Sequence, residues 1–114
     1  MWHVFNSCTE LTEVNFSGRV GNLFETFNDC ASLTEVTVPE GTERVTSSFN
    51  NCKSLTKITL PKSIKNINNS FAGSPYLCDI YYAGTMEEWE RVHTFNLLGQ
   101  LTVHCTDGDV KLFE

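Results

Sequence analysis

The chain has 114 residues and a mass of 12.9 kDa, the size of a single domain. Charged residues are only 19%, too few for charge-driven disorder, and 8 Lys and Arg against 14 Asp and Glu argue against nucleic acid as a partner. No apolar run approaches a transmembrane helix, and the start, MWHVFNSC, lacks the basic and apolar regions of a secretory signal. The expectation is an intracellular chain or a piece of a longer exported one.

From Phe5 onward the chain repeats itself. Phe5, Phe27, Phe49 and Phe71 stand 22 residues apart at each step. Cys8, Cys30 and Cys52 keep that interval, with Ser74 in the fourth place. Leu11, Leu33, Leu55 and Leu77 follow, then Val14, Val36, Ile58 and Ile80, then Phe16, Val38, Leu60 and Tyr82. Such a period belongs to a solenoid, whose units are too small to bury an apolar face alone and form one core by stacking.

Each unit predicts a strand at LTEVTV or LTKITL. Val36 and Val38, or Ile58 and Leu60, point inward, while Glu35 and Thr37, or Lys57 and Thr59, point outward. Equal phase in successive units predicts parallel, in-register strands roughly 4.8 Å apart. Pro39 and Pro61 end the strands because proline has no N–H to donate. A second extended piece is predicted at 44–46 and again at 64–67. The return through SFNNCKS predicts a turn or one helical turn. Asn6, Asn28 and Asn50 share one phase and read as side chains that bond turn backbone.

After Tyr82 the pattern changes. Thr85 with Glu88 forms a capping box, and Met86, Trp89 and Val92 fall on one helical face. A short amphipathic helix over the last repeat is expected. LTVHC at 101–105 predicts a strand, with Val103 adding a rung beside Ile80. Asp107–Gly108 predicts a tight turn into a short strand at 109–113. The domain reading is one solenoid over 1–114, with four units over 1–82 and a closing cap over 83–114. No cap precedes the first unit: Trp2 and Val4 lead directly into Phe5. Exposed apolar surface is expected at that end, covered by self-association or by another molecule, unless upstream repeats were removed.

These residues resemble the BspA-like leucine-rich repeat family, whose unit runs from strand apolars and Pro to two further apolars and an aromatic. Leu55, Ile58, Leu60, Pro61, Ile64, Ile67 and Phe71 carry the match, with Cys52 in the preceding slot. YYAGTMEEWERV followed by TVHCTDGD is similar to the family's terminal unit. The resemblance implies a curved, right-handed leucine-rich-repeat solenoid. It also implies a secreted or cell-surface location in bacteria or some protists, and adhesion to a protein partner such as host extracellular matrix. Departures are Ser17 in place of Pro in the first unit, and Ser74 and Cys78 in the fourth.

The residues themselves suggest little chemistry. An odd count of 5 cysteines rules out a fully paired disulfide framework. Stacked Cys8, Cys30 and Cys52 would keep their Cβ atoms farther apart than a disulfide prefers, so a ladder of small buried thiols is expected. Cys78 and Cys105 can pair or stay free. His3, His93 and His104 are scattered, and no nucleophile–base arrangement or metal-ligand spacing appears. Enzyme activity, metal and cofactor are therefore not expected. The candidate binding residues lie on the outward strand face: Glu13, Asn15, Glu35, Thr37, Lys57, Thr59, Asp79, Tyr81 and His104. Two functions fit, a binding module that uses this face and a structural spacer with no ligand of its own.

Overall fold

A computed structural model describes residues 6–14, 21–71, 73–95 and 101–112. Phe5, Phe16, Ser17, Asn15, His3, Trp2 and Val4 lie outside the described residues, and with them the expected apolar N-terminal end.

Among the described residues ten strands form two sheets. The first holds β1 (Glu13–Val14), β3 (Glu35–Thr37), β5 (Lys57–Leu60), β7 (Asp79–Tyr82), β9 (Leu101–Cys105) and β10 (Gly108–Leu112), in that order. The second holds β2 (Asn22–Phe24), β4 (Arg44–Thr46), β6 (Asn66–Asn68) and β8 (His93–Phe95). Every pairing is parallel except β9 with β10. Register follows the repeat: Val14 pairs with Val36, Val36 with Ile58, and Ile58 with Ile80. The molecule is a parallel-strand solenoid, as the sequence predicts.

Equal phase puts like side chains on top of one another between the sheets. Phe27, Phe49 and Phe71 stack with centroids 5.4 and 6.2 Å apart. Leu33, Leu55, Val36, Ile58, Ile80, Val45 and Ile67 fill the same core. The asparagine reading holds: Asn6 Oδ1 accepts from Asn28 N–H, and Asn28 Oδ1 from Asn50 N–H, both at 2.9 Å. Each ties one turn to the next by satisfying a backbone donor.

The turns bend at two repeating positions with left-handed backbone. One set is Ser7, Asp29, Asn51 and Gly73, and the other is Glu25, Ser47 and Asn69. Single left-handed residues of this kind cost little for Asn, Asp and Gly. Gly73 has a second constraint, because a Cβ there would meet Asn51 Oδ1 at 2.2 Å. The described returns before Tyr82 are therefore turns, without a helical turn.

Several boundaries differ from the sequence reading. The second extended piece falls at Arg44–Thr46 as expected but at Asn66–Asn68 rather than 64–67. Ile64 is buried in the preceding turn, its N–H bonded to the Pro61 carbonyl at 3.3 Å. The helix α1 spans only Met86–Trp89, so Val92 lies beyond it, though still buried. The capping box is present, and Asp107 accepts from Met86 N–H at 2.8 Å. That second cap on a one-turn helix satisfies a donor that no preceding turn can reach. The last strand runs over Gly108–Leu112 rather than 109–113. After Tyr82 both sheets gain another parallel strand, β8 on β6 and β9 on β7. Val103 does pair with Ile80, whereas the sequence reading places no strand at β8. Among the described residues no helix is long and apolar enough to cross a membrane.

Candidate recognition face

Alternation along the strands of the first sheet turns Val36, Ile58 and Ile80 inward and their neighbours outward. Parallel register then lines the outward residues into columns. Glu13, Glu35, Lys57, Asp79 and Thr102 make one, and Thr37, Thr59, Tyr81 and His104 the next. The structure thus brings eight of the nine sequence-predicted residues onto one face, and Asn15 lies outside the described residues. Glu13, Glu35, Thr37, Lys57 and Tyr81 are exposed; Thr59, Asp79 and His104 are half-buried.

The face is uneven. Among the described residues its β1–β3 end carries small hydroxyls and the two glutamates. Its β5–β10 end holds a connected cluster. Tyr81 and His104 stack with centroids 4.6 Å apart, and Lys57 Nζ sits 4.7 Å from the Tyr81 ring centroid. A cation over an aromatic face is attracted to the ring quadrupole. His104 Nε2 lies 2.9 Å from Asp79 Oδ1, and its Nδ1 lies 2.9 Å from Asp109 Oδ1. Two carboxylates, each beside a ring nitrogen, favour the imidazolium, the form in which both nitrogens donate. The Asp79 hydrogen bond, reinforced by Asp109, holds the His104 pKa above its ordinary 6.5. No group of three or more potential metal ligands is found among the described residues.

Beside this cluster lies a shallow depression of about 410 Å³, lined by Thr59, Tyr81, Tyr82, Ala83, His104 and Cys105. Its floor is firm. Tyr82 packs edge-on against buried Trp89 at 5.4 Å, and Gly84 leaves room for the Tyr82 ring, which a Cβ there would approach to 2.6 Å. Glu88 joins α1 to the preceding repeat through Lys62 at 3.1 Å. The helix-capping hydrogen bond from Thr85, then Lys62, holds the Glu88 carboxyl below its usual range.

Sequence reasoning missed Asp109. The Asp107–Gly108 turn and a short strand from 109 are legible, but the antiparallel partner of His104 is fixed by hairpin register, which no repeat phase encodes. Cys78 and Cys105 carry free thiols. The expected thiol ladder is present: Cys30 and Cys52 are fully buried and Cys8 is half-buried. Burial pushes the Cys52 thiol up to about 12 and the Cys30 thiol up as well, which makes both poor nucleophiles.

Residues 2–97 match the family model for the BspA type leucine-rich repeat region, in 6 copies. No curated protein and no solved structure matches the chain. The chain belongs to the BspA-type leucine-rich repeat family. Repeats of this family are generally non-catalytic and are often used for protein interaction.

Proposed function

We propose that this BspA-type repeat chain is a non-catalytic binding module that grips a protein partner on the outward face of its first sheet. The observation that carries this reading is the Lys57–Tyr81–His104 stack beside an apolar depression. Tyr is enriched among residues that dominate binding energy, because a rigid ring supplies contact area at small entropic cost. Tyr81 is 39% exposed, yet it is held by a ring on one side and an ammonium on the other. That is pre-organisation, which lowers the cost of ordering a side chain on association. Glu13 and Glu35 leave the far end acidic, so a partner with a basic patch beside an apolar anchor suits the face.

Family membership supports a wider role. The chain serves adhesion from the cell surface or as part of a secreted protein, and host extracellular-matrix proteins are the partners to try first. Binding to immobilised matrix and plasma proteins tests this, beside a variant with Glu35→Lys and Tyr81→Ala. Saturable binding that weakens at least tenfold in the variant is the expected result. Binding untouched by both changes would move the site off this face. No binding across the panel would favour a spacer between other domains.

A further inference from the structure

The second sheet has an outward face of its own. Its register aligns Asn22, Arg44, Asn66 and His93 in one column, and Phe24, Thr46 and Asn68 in the next. Six of these residues, all but His93, line a depression of about 370 Å³, within the size range of small-ligand sites.

Three features set this groove apart. The Phe24 ring is 44% exposed at one end. The side chains of Arg44, Thr46, Asn66 and Asn68 make no hydrogen bond or ion pair with other described residues, although the neighbouring Lys65–Glu43 pair is closed at 2.8 Å. No carboxylate is among the described residues lining the groove, in a chain whose net charge is −6. A row of amides and a hydroxyl, one unpaired guanidinium and one exposed ring thus converge on a common space.

We propose that this groove binds an acidic saccharide, with a sugar ring against Phe24, hydroxyls on Asn66 and Asn68, and a carboxylate on Arg44. Sugar hydroxyls both donate and accept, and so do amide side chains, whereas a charged lining would serve only one direction. The planar guanidinium fork matches a carboxylate with two parallel hydrogen bonds. Columns that repeat with the strand spacing, roughly 4.8 Å, suit an extended chain of hydroxylated rings better than a single compact ligand. The groove lies on the sheet opposite the proposed protein-binding face, so both can be filled together.

The test uses the whole chain and a panel of uronate and sialate oligosaccharides, each beside its methyl ester, with affinities from calorimetry. At least one acid is expected to bind saturably, and its ester about tenfold more weakly, since the ester cannot form the charge-assisted pair. Arg44→Gln should abolish the difference between acid and ester, and Asn66→Ala with Asn68→Ala should weaken both. Glu35→Lys with Tyr81→Ala, on the other sheet, should change neither. These are surface positions, and unchanged melting temperatures would show that the variants fold. Failure of every acid to bind would overturn the proposal, as would binding that Arg44→Gln leaves unaltered. A protein partner lost in the Arg44 variant, with no saccharide bound, would also overturn it.

Discussion

His104 ties three strands together through one ring: Asp79 on β7, itself on β9, and Asp109 on β10. Its folded pKa lies above its unfolded one because the two carboxylates favour the cation. The stability it contributes is therefore complete below the unfolded value of 6.5 and fades as pH rises through the higher folded value. His104→Gln is expected to lower the melting temperature most on the acid side of 6.5, with the gap to wild type narrowing at alkaline pH. A gap independent of pH would mean that the ring acts only by packing on Tyr81. An NMR titration of the imidazole gives the folded pKa directly. His104 was legible from the sequence as an outward residue of a fifth rung, by strand alternation alone. Its two carboxylates were not, because one depends on hairpin register and the other on a side chain reaching diagonally between rungs.

At the level of the turns and strands, the molecule is held by ladders of one residue type each. The cysteine ladder ends in Ser74, which is buried, accepts from Cys52 N–H at 3.1 Å and donates to the Phe49 carbonyl at 2.8 Å. Cys52 serves the Phe27 carbonyl in the same way through Sγ at 3.1 Å. Ser74→Ala leaves a buried donor and a buried acceptor unpaired and is expected to cost about 1–3 kcal/mol. Ser74→Cys should cost less, since the thiol can repeat the contact made one rung below. Denaturant unfolding of both variants measures the difference, and equal losses would show that the hydroxyl is specifically required. A parallel ladder of Thr26, Ser48 and Ser70 runs fully buried through the second sheet's turns, each hydroxyl bonded to a carbonyl two residues back. These residues share the 22-residue phase and could have been found by it. They escape notice because Ser and Thr read as surface residues unless burial is known.

On the scale of the whole molecule, the stack is nearly one-dimensional, so each rung is stabilised chiefly by its neighbours. Phe49 is fully buried between Phe27 and Phe71 at the middle of the core. Phe49→Ala is expected to cost about 3–5 kcal/mol, a large share of the roughly 5–15 kcal/mol that holds a domain of this kind together. Hydrogen exchange should show lost protection in β3 to β6, on both sides of the gap. Loss confined to one rung would mean that the units are energetically independent. The closing unit gives the other end of the stack a different finish. In the first sheet the antiparallel strand β10 covers the edge of β9, and the buried Trp89 packs edge-on against Tyr82, whereas β8 stands at the edge of the second sheet.

The sequence by itself determined the solenoid, the strand phase and the face on which eight of nine candidate residues stand. A fixed period forces equal environments on equal positions, and alternation along a strand then sorts inside from outside. Tertiary structure alone decided what has no period. It placed the second sheet's strand boundaries, added β8, shortened the helix to one turn and set Asp109 against His104. Those features depend on how the turns bend and where the hairpin register falls, and both are settled by packing across the stack rather than by the order of residues along one unit.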